Sequence, residues 1–153
     1  MKIIKITLML ALLTFSCSSQ SKKKEVINKF VEEVILNESY DLSKINKFIN
    51  INTDSLISDS NTYKQLKFNI DLIRYDIINN NNKFKIVTYK KFKNTFREYN
   101  IVYKNTNEIF CILSNDELIT PFIIDENDKI ISFYSGLIKN NNRINPFIYE
   151  RIN

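Results

Sequence analysis

The hydrophobic period of this chain changes once, near Lys83, and that change sets the fold class. Before it, apolar residues recur at helical spacing. From Glu25 to Leu36, the residues Val26, Phe30 and Val34 fall at i, i+4 and i+8 with Ile27, Val31 and Ile35 beside them, a wide stripe that faces a core. Leu42 to Ile49 places Leu42, Ile45, Phe48 and Ile49 on one side, with Ser39 or Asp41 as the capping residue. The two segments suit antiparallel contact. A third helical stretch starts near Ser60, where Tyr63, Leu66, Ile70, Ile73 and Ile77 keep a 3-4-3-4 spacing, although Phe68, Ile70 and Leu72 also alternate as a strand would. Asn79 to Asn82 ends it, because consecutive Asn residues favour turns over helix interior.

Beyond Lys83 the chain turns to short runs of Ile, Val, Phe and Tyr separated by Asn, Asp and Ser, which predicts strands. These run over Phe84 to Lys90, Glu98 to Lys104, Glu108 to Leu113, Leu118 to Ile124 and Lys129 to Ser135. The connectors 104–107, 114–117 and 125–128 are too short to return a parallel strand. Helices followed by a meander give an α+β fold, N-terminal helices packed on one face of a C-terminal antiparallel β-meander. The segment Glu98 to Ser135 is expected to form that meander, with tight turns at Asn105, Asn115 and Asn127, and the sheet can be flat or curved like a cone. Phe30, Val34, Leu66, Ile70, Ile109, Cys111, Ile123 and Phe133 are the expected core.

The first residues do not belong to this fold. Lys2 and Lys5 precede an apolar run, Ile6 to Phe15, that is followed by small residues, the three-part layout of an export signal. The run falls short of the roughly 20 residues needed to span a bilayer. Leu13-Thr14-Phe15-Ser16-Cys17 resembles the lipobox of bacterial lipoproteins in the relaxed form found among Bacteroidetes. Leu13 stands one place further from the cysteine than the strict pattern has it, and Phe15 is bulkier. The resemblance implies cleavage before Cys17, lipid on that residue and a place in the cell envelope, at the outer membrane of a Gram-negative bacterium. Several acyl chains, at about 0.8 kcal/mol per buried methylene, anchor firmly. Residues 1–16 are thus the signal, 17–24 a lipidated, flexible tether with Lys22, Lys23 and Lys24, and 25–153 a single domain. With Cys17 lipidated, Cys111 has no disulfide partner within the chain.

Charge and residue choice narrow the chemistry. The formal charge of +5 falls to +3 once Lys2 and Lys5 leave with the signal, and the bases are interleaved with acids, unlike the dense patch that binds nucleic acid. The chain contains no histidine, so neither a Ser-His-Asp centre nor a histidine-ligated metal is available. Cys111 lies in an alternating strand beside Ile109 and Leu113 and reads as a small core residue. Asp125, Asn127 and Asp128 begin like a calcium loop, yet Ile130 and Gly136 occupy the places that loop needs for Gly and Glu, leaving a turn as the better reading. Lys83, Lys85, Lys90, Lys91, Lys93 and Arg97 alternate with Phe84, Tyr89, Phe92 and Phe96, which suits either a basic aromatic surface or, more simply, the solvated face of a sheet. No catalytic, cofactor-binding or metal residue is nominated.

The closing hairpin, Phe122 to Tyr134 with its Asp-rich turn and Lys129-Ile130, resembles that of the cone-shaped α+β families related to nuclear transport factor two. It departs from them at Asp128, where such a turn usually has Gly. That resemblance implies a cavity between helices and sheet able to hold a small apolar ligand. A two-helix-plus-meander lipoprotein of the outer-membrane assembly machinery is the other resemblance. The function expected first is a non-enzymatic envelope lipoprotein that binds a small molecule or a protein, with a structural or assembly subunit of the outer membrane as one alternative. An enzyme working through a carboxylate in a cone cavity is the other.

Overall fold

A computed structural model describes residues 19–49, 60–97, 99–133 and 143–144. Helix α1 is α-helical over 19–30 and continues through one π-helical turn, Val31–Ile35. Its apolar stripe is fully used: Ile27, Phe30, Val31, Val34 and Ile35 are buried. The bond from the Leu36 N–H to the Val31 carbonyl, 2.8 Å, is the i→i+5 closure that widens the last turn. Helix α1 also starts earlier than the sequence predicts, since residues 19–24, expected within a flexible tether, form its first turns. Lys23 lies four residues before Ile27, on the inward stripe, and is buried.

Helix α2, Leu42–Phe48, is capped by Asp41, whose carboxylate accepts the Lys44 N–H at 2.9 Å and satisfies one orphan donor of the first turn. It buries Ile45 and Phe48. Helix α3, Ser60–Asn79, resolves the double reading of its segment in favour of the helical period. Leu66, Ile70, Ile73 and Ile77 are buried whereas Phe68 is 59% exposed, which a strand alternating through Phe68 and Ile70 would not allow. Asn81 and Asn82 end α3 in the left-handed region, at φ 56° and 58°, and the Asn82 N–H returns to the Ile77 carbonyl at 3.0 Å.

The strands are β1 Lys85–Thr88, β2 Asn100–Ile101, β3 Ile109–Ser114, β4 Glu117–Ile124, β5 Ile130–Ser132 and β6 Arg143–Ile144. Four of them form one sheet in the order β1-β3-β4-β5, antiparallel at every junction. The fold is α+β, as the change of period predicts. The β3–β4 hairpin turns on Asn115 and Asp116, both at positive φ, the geometry that matches the twist of a two-residue hairpin. In the β4–β5 turn Asp128 takes positive φ itself, at 60°.

The meander is shorter than expected at its start. The predicted strand Glu98 to Lys104 reduces to β2, which pairs in parallel with β6 outside the main sheet, and β1 takes the place beside β3. Asn105 is not a hairpin turn. Its side chain accepts the Asn107 N–H at 3.2 Å and donates to Glu108 Oε1 at 2.7 Å, local bonds that favour the 3-10 turn Thr106–Glu108 over a ladder. The predicted strand Phe84 to Lys90 likewise stops at Thr88, which caps a further helix, α4, Tyr89–Thr95.

The sheet is covered on both faces, which is the main departure from the one-sided packing expected. All six residues of β3 are buried, and the apolar run Ile109 to Leu113 is what a strand with no solvated face requires. Phe110, Ile112, Phe122 and Ile124 point to α1, α2 and α3 and form the larger core with them. Phe30 sits at its centre, its ring 5.6 Å from Phe48, 6.0 Å from Phe122 and 5.3 Å from Phe133. Ile109, Cys111, Leu113 and Ile123 point the other way and meet Tyr89, Phe92, Ile101 and Ile144. Every residue of the expected core is buried, but Ile109, Cys111 and Ile123 belong to the second cluster.

Candidate functional site

Cys17, the one site residue the sequence nominates, lies outside the described residues, so its surroundings begin at the start of α1. Two contacts fasten that start to the far end of the sheet. Lys22 Nζ pairs with Asp128 Oδ2 at 2.6 Å, and this bond holds the Lys22 ammonium above its ordinary pKa. Lys22 is largely exposed, so the pair contributes little by itself. Lys23 does more: only 9% exposed, it lays its stem along the apolar stripe and donates from Nζ to the Ile124 carbonyl at 3.3 Å. Next to it, Lys129 Nζ donates to the Lys47 carbonyl at 2.6 Å, and Ile49 bridges to Ile130 in parallel. The start of α1, the end of α2 and the turn 125–128 therefore share one end of the domain. The sequence reading misses this because lysines after a lipobox look like tether. The available signal is the spacing of Lys23, Ile27, Phe30 and Val34 along one helical face.

At the opposite end, Arg74 of α3 joins α3 to the last turn of α1. Its Nη2 donates to the Val34 carbonyl at 3.4 Å and the Asn37 carbonyl at 3.3 Å, its Nε donates to the Ile35 carbonyl, and Nη1 pairs with Asp71 at 2.8 Å. A guanidinium there satisfies carbonyls that a helix C-terminus leaves without partners and meets the negative end of its dipole. The ring of Tyr40 lies beneath, 5.3 Å from the guanidinium carbon. Burial, and then the Asp71 carboxylate, push the Tyr40 phenol above its ordinary value. The Arg74 guanidinium is thus engaged in holding two helices together.

The other residues weighed from sequence are placed as follows. Cys111 is fully buried, and burial pushes its thiol well up, which disfavours the nucleophilic thiolate. Asp125 Oδ1 accepts the N–H of Asn127 at 2.9 Å and of Lys129 at 2.8 Å, the side-chain turn that Asp forms readily. Among the described residues no three Asp, Glu, Cys or His side chains gather where they could hold a metal. The basic aromatic stretch does not lie along a sheet beyond Thr88. Tyr89 and Phe92 point inward from α4, with Phe96 stacked on Phe92 at 5.0 Å. Lys93 donates to the carbonyls of Arg97 at 2.7 Å and Tyr99 at 2.6 Å, and Lys85 pairs with Asp116 at 2.5 Å.

One surface feature escapes the sequence reading. On the outer side of α3, Phe68, Tyr75 and Ile78 are 59%, 65% and 49% exposed. Once Leu66, Ile70, Ile73 and Ile77 are turned inward, the helical period places Phe68 and Tyr75 outward, so the signal was present in the spacing. No helix among the described residues is long and apolar enough to cross a membrane. The chain matches no family model, no curated protein and no solved structure.

Proposed function

We propose that this chain is the precursor of an envelope lipoprotein, anchored through lipid on Cys17, whose domain works by binding a protein partner. The observation that carries the anchor is the ordered run of Lys2, Lys5, an apolar stretch and Ser16-Cys17, followed two residues later by a folded helix. Binding is favoured over catalysis because the aromatic rings of Phe30, Phe48, Phe122 and Phe133 fill the space between helices and sheet where a cone-fold enzyme or a carrier of small apolar ligands would need a cavity. A protein partner is favoured by the exposed aromatic side of α3, since Phe68 and Tyr75 are the residue types that anchor interfaces.

Mass spectrometry of the mature N-terminus tests the anchor: Cys17 should carry a diacylglyceryl thioether, and Cys17→Ser should leave the precursor uncleaved. Cleavage at another bond rejects it. For the partner, a photo-crosslinker at Leu72 should give a discrete adduct in intact cells. Phe68→Ser with Tyr75→Ser should abolish that adduct while changing stability by less than about 0.5 kcal/mol, as expected of exposed positions.

A further inference from the structure

We infer that the end of the domain built from the start of α1, the end of α2 and the turn 125–128 faces the bilayer, and that the domain is held there in one orientation; this rests on the lipid anchor at Cys17 proposed above. Residue 19 is already helical and lies two residues after Cys17, a span of at most about 7 Å when fully extended. A flexible tether would let the domain tumble over the surface, but no such length is left. The helix itself is fixed to the sheet by its buried stripe, which begins at Ile27, and by the Lys23 bond to the Ile124 carbonyl, with the Lys22–Asp128 pair beside it, so the start of α1 stays beside the β4–β5 turn. Lys129 and Ile130 draw the end of α2 to the same place. The surface that meets the membrane therefore carries Lys22, Lys47 and Lys129 beside Asp125, Glu126 and Asp128.

That mixture of charge has a consequence for the kind of membrane. Two of the three lysines after the lipobox are engaged with the domain, the exposed Lys22 on Asp128 and the buried Lys23 on a carbonyl, which leaves little of a polybasic patch for anionic headgroups. The acyl chains supply the binding, and the protein surface supplies only the orientation. The strand β4 provides an internal ruler. From Glu117 to Ile124 it spans about 23 Å at 3.3 Å per residue, so its two ends sit at different heights above the bilayer.

The experiment uses the full-length chain, matured and lipidated in a bacterial host and reconstituted into phosphatidylcholine vesicles carrying a headgroup-level quencher. One fluorophore is attached at Glu126→Cys and, in a second preparation, at Glu117→Cys; Cys111 is buried and Cys17 is blocked by lipid. The expected result is several-fold stronger quenching at position 126 than at 117, unchanged when phosphatidylglycerol is added to the vesicles. Lys22→Ala with Lys23→Ala should lower the contrast between the two positions while the protein still floats with the vesicles. Equal quenching at both positions, or stronger quenching at 117, overturns the orientation. Flotation that requires phosphatidylglycerol overturns the assignment of binding to the acyl chains. Failure of the anchor itself shows on a separate readout: the unlabelled protein would not float, and its N-terminal mass would lack lipid.

Discussion

The two faces of the sheet are buried by different means. The helix-covered face is closed by α1, α2 and α3, and its core runs continuously from Ile27 to Phe133. The opposite face is closed by α4 and by the two-residue strands β2 and β6, around a cluster of Tyr89, Phe92, Ile101, Cys111 and their neighbours. One side is covered by long amphipathic helices that bring their own stripe. The other is covered by short pieces gathered from distant parts of the chain, each worth little alone. A sheet whose strands are apolar on both sides needs both covers, but among the described residues the second cover has fewer residues and shorter elements. It should open first, in the way that local units of a protein exchange before the whole.

The comparison is sharpest at Phe30 and Phe92, two rings of the same size that are both fully buried. Phe30→Ala removes the ring around which Phe48, Phe122 and Phe133 pack, and it should cost about 4 kcal/mol of global stability in a denaturant melt, the middle of the usual range for this change. Phe92→Ala should cost about 3 kcal/mol or less. Its signature should be local: faster amide exchange at Ile101 and Ile144, with the β3–β4 amides still protected. Equal loss of protection across both faces would show that the two clusters unfold as one unit and erase the distinction.

A smaller effect separates the faces through pH. Burial raises the Cys111 thiol above its ordinary value, so in the folded state the proton stays on where an unfolded thiol, ionising near about 8.5, releases it. The folded state thus holds the extra proton, and its advantage is complete below the unfolded pKa and declines as pH rises past it, by up to about 1.4 kcal/mol per pH unit. The stability difference between the wild type and Cys111→Ala, from melts under reducing conditions, should change by about 1.4 kcal/mol in total between pH 7.5 and 9.5. An unchanged difference would mean that the second face admits water around Cys111.

How much of this was legible in the sequence follows the same division. The stripe of α1, the cap of α2 and the 3-4 spacing of α3 are local patterns, and each maps to a helix in the structure. The hairpins at Asn115 and at 125–128 are local too. The second cover is built from contacts that local patterns do not carry: β2 and β6 are separated by some 40 residues of chain and pair in parallel. Helix α4 was readable in part, because Tyr89, Phe92 and Phe96 keep a helical spacing behind the capping Thr88. The interleaved lysines made the same stretch alternate like a strand. Lys23 was misread for a comparable reason, its charge outweighing its position on the inward stripe. Cys17 is legible only as a motif, and its placement lies outside the described residues.

The turns offer one more lesson. Asn81, Asn82, Asn115, Asp116 and Asp128 all hold positive φ in a chain that has a single glycine. For residues with a Cβ the left-handed region is costly, and Asn and Asp are the side chains that enter it most readily after Gly. The turns of this chain are therefore built from Asn and Asp where glycine would ordinarily stand. These positions are then poor places for random change. Four of the five are exposed, where a mutational scan ordinarily finds tolerance, yet here the acceptable substitutions narrow to Asn, Asp and Gly, with β-branched residues excluded. The surface of this protein is thus least free to vary at the very loops where an evolving domain would be expected to drift.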